Sequence, residues 1–268
     1  MEEDFNINQG TSMVGVSPGT RTHYSPQLKR IDFCNSRCYE RSEGVYYPSV
    51  TNILSALPPS GFFLDWIKET GFNADIVRDR AAREGTQVHE GIEKLLNGEK
   101  LEWVDAYGNA KYNLAVWQML LKFQDFYETI KPETIATEMF LYSDKYKYAG
   151  TTDYLCKVGN ETWLLDHKSS NHCGLSYDLQ LAAYAKALEE LKGIKVDRCG
   201  VLWYKASTRT KKVDLGRGIC QGEGWQILFV KDIDRAFEIF QHVHEIYKVL
   251  NPKIEPLTKS YPTEISIK

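Results

Sequence analysis

The chain has 268 residues, enough for one domain with a sizeable core. Hydrophobic residues make up 43% and charged residues 26%, an ordinary globular balance, and no apolar run is long enough to span a bilayer as a helix. The net charge of −3 gives no global support for a nucleic-acid binder, so any such surface must come from local clusters of Lys and Arg.

The first residues, Met-Glu-Glu-Asp, are acidic and lack an apolar h-region, so a secretory signal is not expected. Six cysteines (Cys34, Cys38, Cys156, Cys173, Cys199 and Cys220) are spread along the chain, the pattern of a reduced, intracellular protein rather than a disulfide scaffold.

Residues 1 to about 44 are polar with little apolar periodicity and read as an N-terminal extension, a poorly ordered arm. The domain proper is expected from residue 45 to 268: a helical part to 131, a sheet core over 132–250 and an irregular tail. Tyr47-Pro-Ser-Val-Thr51 reads as a turn and a helix start, with Ser49 as N-cap. Pro58, Pro59 and Gly61 then break the chain. Phe62, Phe63 and Trp66 follow. They could stack on unpaired bases, but aromatic residues after such a break more often fasten a helix to the core.

Residues 75–97 carry a helical stripe of Val77, Ala81, Val88, Ile92 and Leu95, stopped by Gly98. A second helix over 111–130 would present Leu114, Trp117, Leu121 and Phe126. After Pro132 the period shifts towards two. Strands are predicted over 134–142, 148–158 and 162–168, with Gly159-Asn160 as a tight hairpin turn. A helix over 177–191, a strand over 199–204, a loop or hairpin over 205–224, a strand over 225–230 and a helix over 232–249 complete the order. The expected fold is α/β, a mixed central β-sheet flanked by helices with a helical N-terminal region.

Alternation along 163–168 puts Asp166 and Lys168 on the same face of an otherwise apolar strand. Such a pair is costly to bury unless it pairs or binds something. A second acid-x-Lys match, Glu190-Leu-Lys192, lies on a predicted helix, where i and i+2 do not share a face. Asp153 lies thirteen residues before Asp166, across the hairpin. Two carboxylates there can converge on a hard cation such as Mg²⁺, which lowers the pKa of a bound water and stabilises phosphoryl charge. A nearby Lys can orient the water or offset transition-state charge. His89 lies at the border of the first helical stripe and could complete the metal site. Gln180 and Tyr184 stack at i and i+4 and could hold phosphates or orient Lys168.

Each residue has a plainer reading. His89 could be a core-edge histidine, Asp153 a turn cap, Asp166–Lys168 a surface ion pair on an edge strand, Tyr184 core packing, and Glu138 a solvent-facing strand residue.

Taken together, Gly85-Thr86…His89-Glu90, Gly150-Thr-Thr-Asp153, Leu165-Asp166-His-Lys168 and Gln180-x-x-x-Tyr184 resemble the RecB-like branch of the PD-(D/E)XK nuclease superfamily, in the family's order. The likeness spans roughly residues 45–205, and Tyr47 to Thr51 resembles a segment found upstream in several such nucleases. It implies a restriction-endonuclease-like fold and Mg²⁺- or Mn²⁺-dependent hydrolysis of DNA. It implies His89, Asp153, Asp166 and the His167 carbonyl as metal ligands, Lys168 as the catalytic lysine, and Gln180 and Tyr184 as an accessory substrate-binding pair. Glu138 is a weaker candidate for a further carboxylate. Some relatives hold an iron–sulfur cluster, but the cysteines here do not cluster near the C-terminus and none is expected.

The resemblance favours an exonuclease acting on single-stranded DNA ends in repair, recombination or phage DNA processing. A structure-specific endonuclease, a non-catalytic DNA-binding protein on the same fold and RNA processing are the alternatives. Lys205, Arg209, Lys211, Lys212 and Arg217 could line a DNA groove or form a solvated hairpin. No P-loop motif is present, so any ATP-driven unwinding must come from a partner such as a helicase.

Overall fold

A computed structural model describes residues 21–25, 28–33, 36–170, 173–204, 206, 224–256, 259, 261 and 264–267. The basic segment from Lys205 to Arg217 lies outside the described residues apart from Ala206, as do Cys34 and Cys220.

The central sheet has five strands in the order β5-β6-β7-β8-β9. They are β5 (Glu133–Ser143), β6 (Tyr148–Val158), β7 (Glu161–Lys168), β8 (Arg198–Tyr204) and β9 (Trp225–Phe229). All pairs are antiparallel except β7 with β8, which is parallel. That one parallel pair needs a crossover, and helix α5 (Leu175–Lys192) supplies it. Gly159, with φ of 60°, makes the two-residue β6–β7 turn predicted from the sequence.

Alternation sorts the strand residues onto two faces. Leu155, Leu164, Cys199, Val201 and Trp203 pack with α1 (Val50–Leu54), α5 and α6 (Ile233–Leu250). Tyr154, Cys156, Trp163, Leu165, Leu202 and Tyr204 pack with α3 (Ala74–Leu96) and α4 (Leu114–Ile130). Helices on both faces explain why β7 and β8 read as nearly continuous apolar runs. The expected mixed sheet flanked by helices is therefore the fold. Among the described residues, no helix is long and apolar enough to cross a membrane.

Caps set the helix ends. The Ser49 hydroxyl accepts from the Asn52 amide, and the side chains of Asn113 and Asp232 cap α4 and α6 in the same way.

The structure differs from the sequence reading in three places. Polar composition suggested an arm up to residue 44, yet β1 (Arg21–Ser25), β2 (Leu28–Phe33), β3 (Ser36–Ser42) and β4 (Val45–Pro48) form a separate antiparallel meander. Its charges hid the strands, because three of its apolar residues, Leu28, Tyr39 and Tyr47, suffice to pack it against Tyr142 and Ala149. The helix α2 (Gly61–Thr70) has no buried residue, so Phe62, Phe63 and Trp66 do not fasten it to the core. Phe63 and Trp66 stack on each other instead. In α4 the buried face is Val116, Met119, Leu120, Phe123 and Phe126, whereas Leu114 and Leu121 are exposed. That helix is apolar on more than one face, so spacing alone could not choose the side that meets the sheet.

A candidate metal site at a fork in the sheet

The pairing of β6 with β7 ends at Tyr154 and Leu165, but β7 stays paired with β8 as far as Lys168. The sheet therefore forks just where Asp153 and Asp166 stand. Beyond the fork the His167 amide cannot reach the β6 backbone. It donates to the Asp153 Oδ2 at 2.8 Å instead.

The His167 carbonyl accepts from His89 Nε2 on α3 at 3.0 Å. A carbonyl only accepts, so Nε2 carries the proton. The other ring nitrogen, Nδ1, is thereby aimed at the carboxylates, 3.6 Å from Asp153 Oδ2 and 3.8 Å from Glu138 Oε1. Donor atoms of His89, Glu138 and Asp153 all lie within 4.8 Å of one another. Burial disfavours charge on His89, but Asp153 and Glu138 outweigh it and raise its pKa to about 9. The ring therefore holds a proton on Nδ1 as well until a cation takes its place; two carboxylates and an imidazole held through Nε2 suit a divalent cation, and the backbone carbonyl behind His89 is the kind of outer support that orients such a ligand.

Glu138 has φ of 47°, the left-handed region that an L residue seldom adopts. It occupies the position on β5 across from Asp153, between the Thr137–Tyr154 and Met139–Thr152 pairs. A strained residue at a carboxylate cluster is a common mark of a functional site. Sequence reasoning ranked Glu138 lowest because alternation cannot foresee a left-handed turn inside a strand.

Asp166 is the neighbour of this triad rather than its third member. It is 2% exposed, on a central strand, so the edge-strand surface pair is not what forms. Its Oδ2 pairs with Lys168 Nζ, and its Oδ1 accepts from Gln180 Nε2 at 3.1 Å. Gln180 also donates to the Tyr184 hydroxyl at 3.3 Å. Burial pushes the Asp166 carboxyl up, against the pull of Lys168. Burial likewise opposes charge on Lys168, but Asp166 and Asp153 raise its pKa above the usual range. Lys168 Nζ also lies 5.0 Å from the centre of the Tyr177 ring.

The His167 side chain points away from these groups, into the α4 face. Its Nδ1 meets the Tyr204 hydroxyl at 2.9 Å, and its ring stacks on Tyr154. Burial, then the positive charges of His89 and Lys168, push its pKa well down, so the ring is neutral. Glu190, of the discarded second acid-x-Lys match, accepts from Ser143 Oγ and from the Asp144 and Lys145 amides, a structural task at the β5–β6 turn.

No family model and no curated protein matches the chain. Among solved structures it is similar to a candidate exonuclease from Eubacterium rectale, at 14% identity and a TM-score of 0.42, over 70% of this chain and 77% of that one. It is also similar to an alkaline exonuclease from Laribacter hongkongensis, at 7% identity and a TM-score of 0.33, over 77% of this chain and 92% of that one.

The geometry thus offers two adjoining functions. One is a carboxylate–imidazole cradle for a hard cation. The other is a half-buried ammonium held by a carboxylate, an amide and a phenol in sequence. A negatively charged group placed between them would meet a cation on one side and Lys168 on the other.

Proposed function

We propose that this protein is a metal-dependent deoxyribonuclease of the RecB-like PD-(D/E)XK type, hydrolysing phosphodiester bonds at single-stranded DNA ends. The observation that carries the reading is the fork itself. His89, Asp153 and Glu138 face one another there, beside the buried Asp166 and its partner Lys168. Nothing in the packing of a core needs three carboxylates, an imidazole and an ammonium at the end of a central strand.

His89, Asp153 and Glu138 would hold Mg²⁺ or Mn²⁺, with Asp166 close enough to share in the site's charge balance. When bound, such a cation lowers the pKa of water and offsets charge on phosphoryl oxygens. Lys168 supplies a fixed positive charge to the phosphate and donors to orient the attacking water. Asp166 keeps that ammonium in place, and Gln180 keeps Asp166 in place. Tyr184 closes the chain behind Gln180. His167 fixes the spacing of Asp153 and His89 through its backbone.

The test is cleavage of end-labelled single- and double-stranded DNA in Mg²⁺, Mn²⁺ or EDTA, with Lys168→Ala and Asp153→Ala as controls. Cleavage that requires metal, Lys168 and Asp153 supports the assignment. A ladder growing from one end, with closed circles intact, supports the exonuclease. Full activity in EDTA or in either variant would sink it.

A further inference from the structure

The meander β1–β4, hidden in the polar N-terminal stretch, presents one face to the catalytic sheet. The register pairs Arg30 with Tyr39 and Asp32 with Arg37, so these four side chains share that face. Tyr39 is fully buried, and its hydroxyl meets Thr151 Oγ1 at 3.2 Å, two residues before Asp153 on β6. Along the same face exposure rises, to 15% for the Arg30 side chain, 25% for Asp32 and 37% for Arg37. The face thus runs from core at Tyr39 to solvent at the β2–β3 hairpin.

Asp32 organises this end. Its Oδ2 accepts from Arg30 Nε at 2.7 Å and its Oδ1 from Arg37 Nε at 2.8 Å. Each guanidinium is gripped through Nε alone. The Nη ends of both make no further hydrogen bond among the described residues. The Arg37 backbone is tied down as well, since its carbonyl accepts from Asn52 Nδ2 of α1 at 2.7 Å. Two cations and one anion leave a local charge of +1.

We propose that Arg30 and Arg37, oriented by Asp32, form a clamp for a backbone phosphate of the nucleic acid that flanks the one at the metal cluster. This rests on the nuclease reading above. A single carboxylate that holds two guanidinium groups by their Nε atoms pre-arranges both sets of Nη donors, and planar donor forks match the oxygens of a phosphodiester. Structure alone would be served by one arginine facing Asp32. The second adds charge without a second acid to meet it.

The experiment uses the full chain and a fluorescent single-stranded oligonucleotide. Binding is followed by anisotropy in EDTA over a range of NaCl, and cleavage is measured in Mn²⁺. For Arg30→Ala/Arg37→Ala, the slope of log K against log[salt] should become shallower by about 0.7, the value for one lost single-strand phosphate contact. KM should rise roughly tenfold, as for loss of a charged hydrogen bond, with kcat within about twofold. Asp32→Ala keeps both cations and should raise KM with the salt slope unchanged. Arg37→Lys, which keeps the charge if the double variant fails to fold, should do the same. Wild-type cleavage together with an unchanged slope and KM in the double variant would overturn the clamp and leave the nuclease standing. A wild-type chain that neither binds nor cleaves any nucleic acid would overturn both.

Discussion

Gly150→Ala tests how closely the sheet and α5 must fit. A Cβ at Gly150 would lie 2.3 Å from Tyr184 Cε1 and 3.0 Å from its Cζ and hydroxyl oxygen. Carbon atoms pack at about 3.5 Å or more, so the ring must retreat by about 1 Å. Tyr184 is 3% exposed and cannot swing into solvent. Overpacking of this kind costs about 2 kcal/mol. In a chain of this size that lowers Tm by roughly 4–8 °C. The same retreat stretches the 3.3 Å contact with Gln180, which holds Asp166. A displacement of about 1 Å at a catalytic array can lower kcat by roughly a hundredfold. Calorimetry and the cleavage assay would read both effects. In a Tyr184→Ala background the added methyl meets empty space, so Gly150→Ala should there cost close to nothing, a coupling of about 2 kcal/mol. An unchanged Tm in the single variant, or the same penalty in both backgrounds, would show that Tyr184 does not depend on the bare backbone at Gly150.

Glu138→Gly removes a left-handed L residue, so metal-free Tm should hold steady or rise despite the lost carboxylate, while Mn²⁺ binding by titration calorimetry weakens at least about tenfold. A drop of several degrees would mean that no strain is stored there. Asp166→Asn leaves the half-buried Lys168 ammonium without its anion and should cost about 2 kcal/mol in urea unfolding, whereas Asp166→Asn/Lys168→Met should recover most of it while staying inactive. Equal stability of the two variants would argue against the ion pair. His244 is buried on α6 beside Tyr148 and Phe240, and burial lowers its pKa to about 4. The unfolded chain, with an ordinary His pKa near 6.5, binds the proton first. Stability is therefore complete above about pH 6.5 and falls as pH drops towards 4, by at most about 3 kcal/mol. His244→Leu should flatten that part of the pH–stability curve, and an unaltered curve would assign the acid sensitivity elsewhere.

Local pattern determined much of this protein. From Thr134 to Leu250 the predicted strands and helices agree with the observed ones to within a residue or two at most ends. Period two put Asp166 and Lys168 on one face, and the i, i+4 relation stacked Gln180 with Tyr184, because both follow from backbone geometry within one element. Caps at Ser49 and the turn at Gly159 were legible for the same reason. Convergence was not. Glu138 joins His89 and Asp153 only because β6 and β7 part company at Tyr154 and Leu165 and β5 takes a left-handed step, and neither event leaves a mark in composition or period. The buried face of α4 and the exposed face of α2 depended on which surfaces other elements covered. The N-terminal meander was hardest to see, since its few buried residues share their strands with Arg30, Asp32 and Arg37, charges that read as a solvated arm until tertiary contacts lay the meander beside the central sheet. Sequence fixes which side chains share an element's face. Only the packed chain fixes which faces meet, because that depends on burial shared between segments far apart in the chain.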